Sequence, residues 1–277
     1  MCNNDTFHTN ARRDPTRTLG IRRRFEAEIY RRFRSLKGLI REALVTDGGM
    51  TTNAVSEGRF DFPTSAGKAE AFMAWLREQE LSGEIAIKRR PGRLAGSRQW
   101  ADVYVDSAYQ QGIRRARAEL RKRGVDVPPD SDRAFNQPFH ADRVGMIYSR
   151  VYSELDGITE SMDQQISRVL AQGITEGRSP IQIARAINNR VDKIGITRAR
   201  MLARTEVIRA HHSANIQEYR QAGIESVDVQ AEWVTAGDGR VCPECQRLEG
   251  RVFTIDEIEG MIPRHPQCRC VATPRVE

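Results

Sequence analysis

Apolar residues recur along most of this chain at steps of three and four, and change to steps of two only near its C-terminal end. Ile21, Phe25, Ile29, Phe33, Leu36, Ile40 and Leu44 form one stripe with Arg on the other faces, which predicts a long amphipathic helix. Gly48-Gly49 is expected to stop it, and a loop to follow until about Pro63. A second helix is expected from Ser65 or Ala66 to Leu81, burying Ala69, Phe72, Met73 and Leu76. Residues 82–106 are ambiguous: a short alternation at Ile85 and Ile87, a basic Pro-Gly turn, then Trp100 to Val105. A third helix over roughly 106–123 ends at Gly124, with cations in its last turn as the helix dipole favours.

The stretch Val127 to His140, with three prolines among polar residues, reads as a connector. A very long helical pattern follows, with Val144, Ile147, Val151, Leu155, Ile158, Met162, Ile166 and Leu170 on its broad face, ending around Gly173 to Gly177. Ser179-Pro180 opens the next helix with a capping hydroxyl and a proline at the first helical position. Thr197 is expected to cap a further helix that reaches Ala222 and stops at Gly223. Then Val227, Val229, Ala231 and Trp233 alternate with polar residues, a strand signal. Asp238-Gly239 reads as a hairpin turn, and 252–255 and 268–273 as short strands. The expected fold is mainly α, with a small C-terminal α+β module of short antiparallel strands around a Cys/His cluster. The expected division is a flexible arm at 1–19, a helical region at 20–126, a linker at 127–142 and a C-terminal domain at 143–277, whose β module is 226–277.

Composition narrows the class. A mean hydropathy of −0.58 and 29% charged residues exclude a multi-span membrane protein, and no apolar window approaches the length of a bilayer-crossing helix. The N-terminus is polar and then Arg-rich, without the apolar core of a secretory signal, so a cytoplasmic setting is expected. The net charge of +7 is modest for 277 residues, and a solvated surface would account for it. Its clustering says more, because Arg outnumbers Lys around Arg22 to Arg24, around Lys88 to Arg93 and from Arg114 to Arg123. Arg suits bidentate pairing with phosphate or with carboxylates on a partner, so nucleic acid and an acidic protein surface both fit. Arg22, Arg23, Arg24, Arg31 and Arg32 are the candidate contacts.

The chemistry-bearing residues gather near the C-terminal end. Of 5 cysteines, Cys242 and Cys245 have C-x-x-C spacing, and Cys268 and Cys270 form C-x-C just after His265. A tight turn can aim two thiolates at one ion at about 2.3 Å, and two residues at i and i+2 on a strand share a face. Cys242, Cys245, His265, Cys268 and Cys270 are therefore the candidate metal ligands, and a structural zinc ion is the candidate cofactor. Four thiolates fit such a site, and so do three thiolates with the imidazole. Disulfides and metal-free buried thiols are the competing readings; the cytoplasmic setting argues against disulfides. A thioredoxin-like redox motif lacks its βαβ context. Cys2 reads as a free thiol. No His-Glu-x-x-His, Ser-His-Asp, phosphate-loop or dinucleotide motif is present, so no catalytic residue is assigned. His211-His212 reads as a structural hydrogen-bonding pair. Arg204 and Glu206 are candidates for docking the helix that carries them to the terminal module, and Asp238 for shaping the turn.

These pieces have a family likeness. Ala203-Arg204-Thr205-Glu206-Val207, Gly223-Ile224, Trp233, Asp238 through Cys245, Gly250 and the closing Pro263 to Cys270 together resemble the phage Mu F-like head morphogenesis domain, over roughly residues 145–277. The resemblance implies a structural virion component present in few copies, associated with the portal protein and with capsid or scaffold on the inside of the head. Its implied roles are head assembly and DNA packaging or delivery, with no enzymatic activity and no membrane partner. Packaged DNA would be met through sequence-independent backbone electrostatics. Aromatic residues are only 6% of the chain, which does not favour a base-stacking single-strand binder. Two other classes compete: a zinc-dependent hydrolase or nuclease, which needs an open metal position beside a base, and a cellular zinc-stabilised nucleic-acid-binding protein, which needs a basic face beside the module.

Overall fold

A computed structural model describes residues 14–46, 64–82, 85, 87–88, 98–128, 131–225 and 229–276. The residues at which we expected most of the N-terminal arm, Cys2, the Gly48-Gly49 stop, the loop to Pro63, the basic turn at 89–97 and Val227 lie outside them. The fold is mainly helical, with a small three-stranded antiparallel sheet near the C-terminal end. The helices are α1 (Leu19–Arg41), α2 (Ser65–Leu81), α3 (Asp102–Lys122), α4 (Ser131–Phe135), α5 (Pro138–Thr175), α6 (Pro180–Arg190), α7 (Thr197–Glu225), and the single turns α8 (Pro243–Gln246) and α9 (Ile255–Ile258). The strands are β1 (Val229–Val234), β2 (Val252–Thr254) and β3 (Val271–Val276).

Several boundaries differ from the sequence reading, each for a local reason. Residues 14–18, inside the expected arm, are folded: Asp14 Oδ2 accepts from the Leu19 N–H at 2.7 Å, and Thr16 and Thr18 are buried. The carboxylate thus meets a donor that the start of α1 leaves unpaired. The expected connector at 127–140 holds α4 and the first turn of α5, which begins at Pro138, where the missing N–H costs a helix nothing. Thr197 does not cap a new helix. The chain continues from α6 through a π-helical stretch, Val191–Ile196, and Thr197 has helical dihedrals with its hydroxyl donating to Asp192 O. Helix α7 overruns Gly223 by two residues.

The chain forms two compact units. Unit 1 is 1–25, 98–151 and 201–277; unit 2 is 26–97 and 152–200. Unit 2 buries Phe33, Leu36 and Ile40 of α1, Phe72 and Leu76 of α2, Met162 and Ile166 of α5, and Ile187 of α6. Gly177, at φ +65°, ends α5 in the left-handed conformation, and Ser179 with Gln182 forms the capping box that starts α6. Two buried carboxylates, Glu80 and Asp163, share the single ammonium of Lys88, at 2.6 and 3.9 Å.

Unit 1 contains the sheet. Its strand order is β2-β1-β3 with both pairings antiparallel, in the register Gln230↔Thr254 and Trp233↔Ala272. Val229, Ala231 and Trp233 face inward, as their alternation predicts, and Trp233 is completely buried. Asp238-Gly239 is not a two-residue hairpin, because β1 and β2 are joined by a long loop that carries α8. Helix α7 supports the sheet, with Tyr219 Oη donating to Ala272 O at 3.2 Å. It crosses α3 at Gly112, where a Cβ would come within 2.5 Å of His211 O. A chain of polar groups, buried except at its Arg117 end, joins α3, α5 and α7: Tyr109 Oη to His140 Nδ1 at 2.8 Å, His140 Nε2 to Glu218 at 3.0 Å, and Glu218 to Arg117 at 2.6 Å.

Candidate metal centre

The four C-terminal cysteines carry free thiols, and with His265 they converge in unit 1. The first pair comes from a knuckle built locally. Cys242 caps α8, with Pro243 at the first helical position, and its Sγ accepts from the Cys245 N–H at 3.3 Å. The second pair comes from the segment entering β3. Sheet pairing anchors the chain after each pair: Gly250 N donates to Trp233 O at 2.9 Å after the first, and Val271 pairs with Val234 after the second. Gly250 sits at φ +72°, a conformation that favours glycine.

His265 Nε2 lies 3.2 Å from Cys242 Sγ and 3.3 Å from Cys245 Sγ, and Cys245 Sγ lies 4.0 Å from Cys268 Sγ. The donors form two triads that share Cys245: Cys242, Cys245 and His265, and Cys245, Cys268 and Cys270. A tetrahedral ion with bonds of about 2.3 Å sets its ligand atoms about 3.8 Å apart, so these separations fit a soft divalent ion such as zinc. The imidazole is oriented for it. His265 Nδ1 lies 2.8 Å from Pro266 O, which places the ring proton there and leaves the Nε2 lone pair facing the sulfurs. The cluster can hold a metal ion on the chemistry of its donors.

The thiols are electrostatically uneven. A hydrogen bond from Cys270, with backbone N–H groups of Cys270 and Arg264, holds the Cys268 thiol down at about 5. Burial pushes Cys245 up to about 12.

The docking residues divide. Arg204 reaches the module, donating to Gln267 Oε1 at 2.8 Å, and the hydroxyl of its neighbour Thr205 accepts from Gln267 N at 3.3 Å. Glu206 does not reach it. It is buried on the other side of α7, accepting from Arg150 of α5 at 3.3 Å and from Arg209 at 3.2 Å. Asp238 makes its turn by accepting from Arg240 N at 3.1 Å, and its two oxygens also take both forks of Arg269, at 2.7 and 2.5 Å. The Arg269 guanidinium holds the Asp238 carboxyl well below the usual carboxylate range. This clamp ties the approach to the first cysteine pair to the residue between the second pair; a bidentate Arg–Asp pairing across 31 residues leaves no spacing signal in the sequence. Gln267 was also missed. Its φ of +65° between His265 and Cys268 is a signal only the backbone carries.

Helix α7 carries further anchors: His212 Nε2 donates to Ile258 O at 3.2 Å, and Arg220 pairs with Asp256 and Glu259 at 2.8 and 2.7 Å. Of the arginines singled out on α1, Arg22 is buried beside Asp14, and Arg32 is buried between Glu28 and Ile85 O. Arg31 pairs with Glu28 at 2.7 Å, while Arg23 and Arg24 are exposed. Among the described residues no helix is long and apolar enough to cross a membrane.

Comparison with known proteins places this geometry. No solved structure matches the chain. A curated relative, Minor head protein GP7 of Bacillus phage SPP1, is 26% identical over 188 residues, covering 62% of this chain. The chain spans 57% of that relative's length. The family model described as Phage Mu protein F like protein matches residues 164–273, a span that takes in the last third of α5, all of α6 and α7, β1, β2, the start of β3 and every candidate ligand. Over that segment the chain is similar to the Phage Mu F-like proteins, the likeness its Arg-Thr-Glu helix and Cys/His motifs suggested.

Proposed function

We propose that this chain is a minor head protein of a tailed bacteriophage: a structural virion component, associated with the portal protein and the capsid interior, that assists head assembly and DNA packaging or delivery. The observation that carries the reading is that the family match takes in every candidate ligand, within its residues 201–273 in unit 1. The matched segment brings α7, most of the sheet and the cysteine knuckle together, and a relative of the chain bears the name of a minor head protein.

The Cys/His cluster serves this role as a structural zinc centre with no reaction performed there. The carboxylates beside it are engaged in holding the module together: Glu244 pairs with Arg264 at 2.6 Å and Asp238 with Arg269. Exposed Arg23 and Arg24 offer the N-terminal part of α1 to an acidic protein surface or to DNA phosphates, where each contact would add to a salt-sensitive attraction. A mass-spectrometric inventory and cryo-EM map of purified particles test the proposal. The expected result is this chain in low copy at the portal vertex. Its absence from heads and from assembly intermediates would overturn the reading.

A further inference from the structure

Five donors form two triads that share Cys245, and a tetrahedral ion takes four of them. We propose that Cys242, Cys245, His265 and Cys268 ligate the ion, that Cys270 stays outside as a hydrogen-bonding thiol, and that Arg204 and Thr205 of α7 are positioning residues for the ligand loop. The assignment rests on the zinc reading of the cluster and goes beyond it in naming the set and its anchor.

The imidazole decides the first half. With Nδ1 donating to Pro266 O, Nε2 has a single lone pair and no proton, yet it faces two sulfurs at 3.2 and 3.3 Å. One lone pair cannot accept from both thiols at once, whereas a cation among the three atoms satisfies all of them. The fourth position goes to Cys268. Its sulfur lies 4.0 Å from Cys245 Sγ, close to the edge of the tetrahedron. Cys242 Sγ, on the other side of the shared Cys245, receives a hydrogen bond from Cys245 N at 3.3 Å. Such N–H donors stabilise a metal-bound thiolate and orient it. Cys270 belongs only to the triad with Cys245 and Cys268, away from the imidazole, and with four positions taken it is left as the supporting thiol.

The spacing between the last two ligands is set from outside the loop. Cys268 N donates to His265 O at 3.1 Å, closing a turn whose residue Gln267 has φ +65°. Both ends of Gln267 are fastened to α7, its N–H by Thr205 and its side-chain oxygen by Arg204. The Arg-Thr pair of the helix thereby fixes where His265 and Cys268 sit.

The test uses the full chain, with zinc content, the absorption spectrum of the cobalt-substituted protein, and the rate of zinc removal by a chromogenic chelator. Wild type should hold one zinc, and its cobalt charge-transfer bands should report three thiolates, a readout that requires no mutant to fold. Cys270→Ala should retain the ion, and His265→Ala and Cys268→Ser should lose it. Thr205→Ala should release zinc about tenfold faster with an unchanged cobalt spectrum and unchanged helicity. A four-thiolate spectrum, or loss of zinc in Cys270→Ala with retention in His265→Ala, overturns the ligand set while leaving the zinc reading intact. Wild-type protein that takes up no zinc overturns the zinc reading itself. Release from Thr205→Ala at the wild-type rate overturns the positioning role.

Discussion

Replacing Gly112 by Ala should destabilise unit 1, although the same change elsewhere in a helix stabilises. Alanine exceeds glycine in a helix interior by about 1 kcal/mol. At Gly145, exposed on α5 with nothing within 4 Å of an added Cβ, that gain should appear in full. At Gly112 the added carbon would lie 2.5 Å from His211 O and 2.6 Å from Ala214 Cβ. Relaxed carbon contacts need about 3.5–4.0 Å, so α3 and α7 would have to part by about 1 Å. Overpacking of this kind costs about 1–3 kcal/mol, and the upper end applies because the obstacle is backbone that cannot rotate away. The net loss at Gly112 is then about 2 kcal/mol, and the two alanine variants should differ by about 3 kcal/mol. Urea denaturation followed by far-UV circular dichroism measures this directly. A Gly112→Ala protein as stable as Gly145→Ala would refute the close crossing of α3 and α7.

Glu80 is held up at about 8, by burial first and then by the Asp163 charge. The folded state therefore keeps a proton that the unfolded chain releases above about pH 4.5. Stability should fall as pH rises between about 4.5 and 8, by up to about 1.4 kcal/mol per pH unit, and Glu80→Gln should flatten that slope in pH-dependent denaturation. Asp238 behaves oppositely. Its carboxyl is depressed by Arg269, so its contribution is present above the ordinary carboxylate range and lost as pH falls below it; Asp238→Ala should weaken the acid limb of thermal stability, by about 1 kcal/mol after solvent screening. Tyr109→Phe leaves the buried Nδ1 of His140 without its donor and should cost about 1–3 kcal/mol in the same denaturation assay.

The α1 stripe from Ile29 to Ile40, the capped start of α6 and the alternation of β1 are legible because each is a pattern of consecutive positions. The cysteine spacing was equally plain, since a C-x-x-C turn aims its own sulfurs. What stayed hidden depended on partners far along the chain. Arg22 and Arg32 read as surface charge among many arginines, yet Asp14, Glu28 and Ile85 O draw them inward. Thr197 has the composition of a cap, but the helical run continues through Val191–Ile196, so its hydroxyl bonds back to Asp192. Glu206 sits in the same turn as Arg204, but two residues apart on a helix they point to opposite sides and meet different neighbours.

The residues alone determined a helical chain closing in a small sheet with five soft donors near its C-terminal end, because hydrophobic period and ligand spacing are properties of consecutive positions. Only the tertiary structure decided that those donors overlap at Cys245, that Asp238 and Arg269 clamp their two loops, and that Gln267 is fastened to Arg204 and Thr205. Hydrogen bonds between groups tens of residues apart exist only once packing has brought them within reach, and no local pattern encodes that distance.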